Sequence, residues 1–302
     1  MEDKKVTILM STYNGEKYIL EQLESLINQT YKKLKIIIRD DGSTDNTINI
    51  IKQVQKKVNN ITLIPGENVG FINSFFELLS VDSNSDYYAY CDQDDVWMEN
   101  KIERVVKFLS KTNEEKPVLY FSNSDYYDTN MNFLATAEKN KMYSFRNSLV
   151  ECVTQGMTMV INKFTKELII KNKPSNCLYH DWWTYMICSG FGEIVYDDKS
   201  LVKYRRHNKS VTVEGKNPFQ LLKFRIKKFI MGESLKQIKE QWREYEKFYA
   251  DKLGEQDRKL LALFTHKYNF LIALKKMFYP KRFRRKIIDE ISVRILFLFG
   301  KL

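Results

Sequence analysis

Between residues 6 and 92 short β-rich runs alternate with amphipathic stretches, and this alternation constrains the fold more than any other feature of the chain. "VTILMSTY" (6–13), "KLKIIIRD" (33–40), "ITLIPG" (61–66) and "DYYAYCD" (86–92) read as strands. Over about 16–28, Ile19, Leu20, Leu23, Leu26 and Ile27 recur at helical spacing. "STDNTINIIKQVQKKV" (43–58) reads as a helix opened by Ser43 or Thr44 as a cap, and "NVGFINSFFELL" (68–79) as another. Strands joined through helices by connections this short pair in parallel, and their helices cover the faces of the sheet. After residue 118 the pattern is more mixed, with strands near 118–122 and 194–205 and a helix near 181–190. The expected fold class is α/β, a mostly parallel sheet flanked by helices.

In such sheets ligands bind beyond the carboxyl ends of the strands. Three polar clusters fall there: Ser11-Thr12-Tyr13-Asn14, Asp40-Asp41-Gly42-Ser43 and Asp92-Gln93-Asp94-Asp95. Each has a plain structural reading. Asp45 and Asp95 suit helix caps, and "DDGS" is good turn chemistry because Gly42 tolerates positive φ. Three such clusters at successive strand ends favour one shared acidic mouth. Hard oxygen donors of this kind suit Mg²⁺ or Mn²⁺, ions that commonly also hold substrate phosphates. No G-x-G-x-x-G follows the first strand and no G-x-x-x-x-G-K-[ST] occurs, so ordinary dinucleotide and P-loop chemistry are not expected.

The net charge of +11 is unevenly shared. From Lys203 onward there are 26 Lys/Arg against 10 Asp/Glu, a balance of +16, which leaves −5 for residues 1–202. Beyond "EGKNPFQ" (214–220) the strand–helix alternation stops. Phe219, Leu222, Ile226, Phe229 and Ile230 take helical spacing with Lys223, Lys227 and Lys228 among them, and Leu235, Ile238, Trp242, Tyr245 and Phe248 do the same. The stretch 281–299 is a further basic amphipathic helix, with Lys281, Arg282, Arg284, Arg285 and Lys286 beside an apolar face. We therefore expect a catalytic domain over 1–213 and a helical region over 214–302. The basic region suits the anionic leaflet of a membrane; the alternative is packing on the catalytic domain or on a second copy of the chain. No stretch reaches the ~20 apolar residues of a membrane-spanning helix, and no secretory signal pattern opens the chain. Cys91, Cys152, Cys177 and Cys188 form neither a CxxC nor a zinc spacing and read as reduced thiols. The expected location is the cytoplasm, peripheral to the inner face of the plasma membrane.

Taken together, "VTILMSTYNGEKYILEQLESLINQTYKKLKIIIRDDGSTDNT", "ENVGFINSFFELL" and "YCDQDDVWMENKIE" closely resemble family-two inverting glycosyltransferases of the GT-A fold. The branch they most resemble is the bacterial rhamnosyltransferase-like one that builds cell-wall and capsular polysaccharides. The resemblance covers roughly residues 5–210 and leaves out the basic tail. It implies a nucleoside pocket from Thr12, Tyr13 and Asp41, with Tyr13 against the base. Asp92 then contacts ribose or metal, and Asp94 binds the Mn²⁺ or Mg²⁺ ion that bridges the donor diphosphate. Asp95 either supports these ligands from behind or caps a helix. Gly156 in "VTQGMTMVIN" stands where the fold has a glycine loop beside the acceptor and donor sugars, or is simply a turn glycine. Asp181, in "LYHDWWTYMICSGFG", stands where related transferases carry the catalytic carboxylate, and His180 before it is implied on the diphosphate or acceptor side. Trp182 and Trp183 are core residues or a platform for a sugar ring. In "LVKYRRHNKSVT", His207 is implied as a metal ligand or diphosphate contact, and Arg205 or Arg206 as the planar donor to the leaving diphosphate.

The implied activity is transfer of a sugar, L-rhamnose from dTDP-rhamnose in the first instance and hexoses from UDP donors in the second, to a glycan or lipid-linked glycan acceptor. A metal-dependent nucleotidyltransferase is a further reading, although basic residues are then expected early, near the nucleotide loop, rather than "STYNGEKY". A nucleic-acid-binding protein is suggested by the pI of about 9.2 and the basic aromatic tail. The acidic mouth opposes it, so nucleic acid is not an expected partner.

Overall fold

The computed structural model describes residues 4–81, 84–140, 142–206 and 234–302. The chain divides into two compact units, the first of Met1–Asn140, Thr154–Lys173 and Gly192–His207 and the second of Lys141–Val153, Pro174–Phe191 and Asn208–Leu302.

The first unit is built on strands β1 (Val6–Thr12), β2 (Leu34–Asp40), β3 (Ile61–Pro65), β4 (Tyr87–Cys91), β5 (Val96–Trp97), β6 (Val118–Tyr127), β7 (Phe133–Thr136), β8 (Met159–Asn162) and β9 (Glu193–Arg205). They form one sheet in the order β3-β2-β1-β4-β8-β6-β9-β5, with β7 on β6. The neighbours β3, β2, β1 and β4 run parallel, as the alternation implies. Beyond β4 the sheet is mixed: β8 is antiparallel to β4 and β6, and β9 is parallel to β6. Helices α1 (Ile19–Ile27), α2 (Thr47–Gln55), α3 (Phe71–Ser80) and α4 (Lys101–Leu109) follow or flank the first strands. Their apolar stripes fill the core with the sheet: Ile19, Leu23 and Leu26 of α1 and Ile102, Val105, Val106 and Leu109 of α4 have no exposed surface. Each fully buried side chain of this size stabilises by about 1.5–3 kcal/mol. A continuous apolar run such as Ile36-Ile37-Ile38 is explained by burial on both faces of β2.

Two capping expectations are corrected. Helix α2 starts at Thr47, where the Asp45 carboxylate accepts from the Thr47 backbone N–H at 2.9 Å, so neither Ser43 nor Thr44 opens it. Asp95 caps no helix: it precedes β5, and α4 begins only at Lys101.

The second unit is helical, with segments Phe145–Ser148, His180–Phe191, Ser234–Tyr249, Glu255–Thr265, Phe270–Met277 and Ile287–Leu298. Ile238, Trp242 and Tyr245, on the expected stripe, are buried in it. Residues 144–151 are threaded among its C-terminal helices. The Trp242 indole donates to the Leu149 carbonyl at 2.8 Å, and the Asn147 amide donates to the Phe283 carbonyl at 2.8 Å. The helical stretch expected on Phe219, Leu222, Ile226, Phe229 and Ile230, and the boundary expected between 213 and 214, lie outside the described residues. Among the described residues no helix is long and apolar enough to cross a membrane.

Candidate functional site

Because β2, β1 and β4 are parallel neighbours, their carboxyl ends share one edge of the sheet, with Thr12 beside Asp40 and Met10 beside Cys91. The three polar clusters therefore meet. The loop after β1 is laced to the loop after β2: the Asn14 N–H donates to Ser43 Oγ at 2.9 Å, the Thr44 N–H donates to Asn14 Oδ1 at 2.8 Å, and the Gly15 N–H donates to Thr47 Oγ1 at 2.8 Å. Gly42 has φ +81, the left-handed conformation its residue type favours. Asp40 is buried and accepts from Thr12 Oγ1 at 2.9 Å and from the Ser43 N–H at 2.8 Å. Asp41, also buried, accepts from Arg39 Nη1 at 2.5 Å and from the backbone N–H groups of Val69 at 2.9 Å and Gly70 at 3.0 Å. The Thr12 hydroxyl and the Asp41 carboxylate thus hold neighbouring loops, while Tyr13 stands 47% exposed at the rim.

Gln93 joins the β1 loop to the acidic segment, a role the sequence reading missed. Its side-chain oxygen accepts from the Tyr13 N–H at 2.9 Å and its amide donates to the Tyr13 carbonyl at 3.1 Å. The reciprocal pair fixes the backbone that carries the Tyr13 ring. It also explains Gly15, where any Cβ would come within 2.3 Å of Gln93 Oε1.

The acidic segment itself is held from three sides. Two-residue β5 pairs antiparallel with Val202 and Lys203 of β9. Arg205, at the end of β9, is buried. Its N–H donates to Asp95 Oδ1 at 3.1 Å, its guanidinium donates to the Asp94 carbonyl at 2.9 Å and the Thr129 carbonyl at 3.1 Å, and it pairs with Glu21. Arg205 is thereby committed to holding the segment. Arg206 is half-buried, with its guanidinium 5.2 Å from the centre of the Tyr126 ring. Asp92 and Asp94 are half-buried and Asp95 is fully buried. Burial, and then the neighbouring Asp94 and Asp92 charges, push the Asp95 carboxyl well above the usual carboxylate range. Asp95 Oδ2 is buried with no hydrogen-bond partner among the described residues.

Beneath the segment lies Lys101, which the sequence reading also passed over. Its ammonium is wholly buried, donates to the Met157 carbonyl at 2.6 Å and sits 3.1 Å from the centre of the Trp97 ring. Burial lowers its pKa to about 7 against the opposing pull of Cys91, Asp95 and Asp92. Met157 belongs to the single helical turn Gly156–Thr158, so Lys101 ties the segment's support to the glycine turn. A lysine at the start of an otherwise ordinary amphipathic helix gives no sequence sign of this destination.

The crowded carboxylates fit a hard divalent cation by donor type, and Asp95 Oδ2 is a buried oxygen that the described residues leave unmatched. Among the described residues no group of three or more His, Cys, Asp or Glu side chains is arranged to hold a metal. His207 lies outside the described residues.

In the second unit, His180 and Asp181 form the first turn of the helix His180–Phe191. His180 is buried, which lowers its pKa to about 3 and keeps the imidazole neutral. Asp181 is half-buried and its Oδ1 accepts from the Trp182 N–H at 2.7 Å. Trp182 is half-buried and its indole donates to the Ser148 carbonyl at 2.6 Å. Trp183 has no exposed surface and packs edge-on against the Tyr245 and Phe248 rings, at 5.9 and 6.4 Å between centres. A ring without exposed surface cannot stack on a sugar, so Trp183 is a core residue.

Parallel strands whose ends gather an exposed aromatic, a buried aspartate turn and a DQDD segment give the chain one polar mouth at a sheet edge, the arrangement expected of a GT-A fold. A family model described as glycosyl transferase family 2 matches residues 7–168, more than half of the chain. The chain belongs to this family and is a glycosyltransferase. It is 34% identical over 220 residues to the dTDP-rhamnosyl transferase RfbG of Shigella flexneri, covering 66% of this chain and 71% of that one. Among solved structures, S. aureus TarS 1-349 in complex with UDP-GlcNAc matches with a TM-score of 0.57 at 16% identity, over 98% of this chain and 92% of that one. The mannosyltransferase PcManGT from Pyrobaculum calidifontis, in complex with GDP-Man and Mn2+, matches with a TM-score of 0.53 at 14% identity, over 100% of this chain and 86% of that one. These two likenesses are of fold.

Proposed function

We propose that the chain transfers L-rhamnose from dTDP-rhamnose, with inversion, to a glycan or lipid-linked glycan during synthesis of a bacterial cell-surface polysaccharide. The observation that carries the reading is the convergence of the three polar clusters on one sheet edge, with Tyr13 exposed beside them and its backbone clamped by Gln93. The likeness to a relative named as a dTDP-rhamnosyl transferase supports the choice of sugar. UDP-hexoses are the second choice of donor.

In this reading the nucleoside lies against Tyr13, in a pocket shaped by the loops that Thr12 and Asp41 hold, and Asp92 contacts ribose or metal. Asp94, with His207, would hold a Mn²⁺ or Mg²⁺ ion, whose charge when bound offsets that of the leaving diphosphate. Asp95, buried behind Asp92 and Asp94, supports them. Arg206 adds a planar donor to the diphosphate, and Arg205 keeps the acidic segment in place. Asp181 is the base. Taking the proton from the acceptor hydroxyl as the new bond forms is worth about 10²–10⁴-fold in rate. A single in-line displacement inverts the anomeric centre and needs no covalent enzyme intermediate. Gly156 is the glycine of the loop beside the acceptor and donor sugars in this reading, and the exposed part of Trp182 is a platform for a sugar ring. The basic C-terminal helices support a place at the inner face of the plasma membrane, where a lipid-linked acceptor is found.

The experiment is the transfer itself. Nucleoside diphosphate should be released from dTDP-rhamnose only when a glycan acceptor is added, and the product's anomeric configuration, read by NMR, should be opposite to the donor's. Release without any acceptor requirement, or retention of configuration, would overturn the proposal.

A further inference from the structure

The segment 266–302 of the second unit contains the neighbouring helices Phe270–Met277 and Ile287–Leu298. Helix Ile287–Leu298 buries Glu290, Val293 and Phe297. On its other side Ile287, Ile288, Ile291, Ile295 and Phe299 are between 47% and 69% exposed. Residues 287, 291, 295 and 299 are four apart and so form one stripe, about 18 Å long at 1.5 Å per residue. Phe270, Leu271 and Phe278 at the ends of the partner helix are also exposed. An apolar face of this kind on a soluble domain marks a surface that something covers.

The charges around it say what. Only two carboxylate side chains occur in 266–302, Asp289 and Glu290, and both turn towards the protein. Glu290 is buried and accepts from the backbone N–H groups of Phe283 at 2.8 Å and Arg284 at 2.7 Å and from Arg294 Nε at 2.6 Å. Asp289 lies 4.0 Å from the Arg284 guanidinium. The exposed charged side chains of the segment are Lys267, Lys275, Lys281, Arg282, Lys286 and Lys301, all cations. A second copy docking through the same face would set these cations against one another. An anionic lipid surface satisfies both features, since it accepts apolar side chains at the acyl boundary and attracts lysine and arginine to its phosphates.

We propose that this helical pair is an interfacial membrane anchor, with Ile287, Ile288, Ile291, Ile295 and Phe299 inserted at the acyl boundary of an anionic bilayer. It deepens the reading of a transferase that meets its acceptor at the membrane, and rests on that reading only for its purpose. The structure also revises which cations take part. Arg284 donates to the Val150 carbonyl at 3.0 Å and Arg285 to Glu151 at 3.2 Å, so these two tie the segment to its own unit, while Lys281, Arg282 and Lys286 face outward.

The test is co-sedimentation of the full chain with vesicles of phosphatidylcholine, with and without about one-third phosphatidylglycerol, at about 0.15 M salt. Binding is expected to the anionic vesicles. The triple variant Ile287→Ser, Ile291→Ser, Ile295→Ser should bind them at least about tenfold more weakly. Lys281→Gln with Arg282→Gln should weaken binding about fivefold for each cation removed. All substituted positions are exposed, so the variants should keep the wild-type melting temperature and the thermal shift produced by nucleoside diphosphate. Absence of wild-type binding, or equal binding by the triple variant, would overturn the proposal. So would a solution dimer that the triple variant converts to monomer, because a second copy would then be the occupant. Vesicle binding without any nucleotide shift would uphold the anchor and count against the transferase reading instead.

Discussion

Replacing Lys101 by methionine sets two opposed effects against each other. The wild-type ammonium is fully buried, and burial lowers its pKa from 10.5 to about 7. Between those two values the unfolded chain holds a proton on this lysine that the folded chain does not, so stability rises with pH across the window. Below about pH 7 the penalty is complete. At about 1.4 kcal/mol per pH unit, the gap corresponds to roughly 5 kcal/mol withheld from the wild type once the penalty is complete. Methionine removes that penalty, but it leaves the Met157 carbonyl without the donor that stands 2.6 Å away in the wild type. An orphaned buried acceptor costs about 1–3 kcal/mol. Lys101→Met should therefore be more stable than wild type by about 2–4 kcal/mol near pH 6.5 and less stable by about 1 kcal/mol near pH 10, with the curves crossing at roughly pH 9. Urea unfolding at four or five pH values, followed by tryptophan fluorescence, measures this. A variant less stable than wild type by the same margin at every pH would show that Lys101 stays charged and compensated in the fold, and would refute the reasoning.

Substitutions at three further positions probe the account. Arg205→Ala leaves the Asp94 and Thr129 carbonyls without their donor, while half-exposed Glu21 can turn to water, and should cost about 2–3 kcal/mol in urea unfolding; Arg205→Lys should recover only part, since one ammonium cannot span acceptors on two loops and a helix. An unchanged midpoint for the alanine variant would mean the arginine is not the tie it is taken to be. Gln93→Ala frees the Tyr13 backbone and should weaken nucleoside-diphosphate binding about tenfold in calorimetry while lowering stability by less than about 2 kcal/mol; equal affinity would remove Tyr13 from the pocket. Asp181→Asn should reduce transfer at least about 10²-fold with donor affinity nearly intact, and lost donor binding would count against a base role.

The parallel half of the sheet was legible because burial on both faces writes itself as unbroken apolar runs, Ile36-Ile37-Ile38 most plainly, and because α1 and α4 carry one apolar stripe each. The meeting of the clusters followed from strand order alone. What stayed hidden depends on partners distant in sequence. Two-residue β5 has no periodicity to read and exists through β9, more than a hundred residues on. Arg205 and Arg206 were equally open as donors to the diphosphate, and only the acceptors of Arg205, Asp94, Thr129 and Glu21, show it as a tie. Trp183 had two readings from sequence, core residue and sugar platform, and the Tyr245, Phe248 and Tyr249 rings that close over it place it in the core. Residues 144–151 gave no sign of belonging with the C-terminal helices, because their partners, such as Trp242 for Leu149, Tyr245 for Phe145 and Arg285 for Glu151, are distant in sequence.

The claim that the acidic mouth binds a nucleotide-sugar donor through a cation is tested most directly by thermal shift. Wild type and Asp94→Ala would be melted with TDP, UDP, GDP or CDP, each with Mn²⁺, Mg²⁺ or chelator. Ligand at about 100 times its dissociation constant adds about 2.7 kcal/mol, a rise on the order of 5 °C for a protein of this size. We expect that rise with one diphosphate, TDP first, only when metal is present and only in the wild type. A folded wild-type sample that shifts with none of the four, or an Asp94→Ala variant that shifts as fully as wild type, would contradict the assignment.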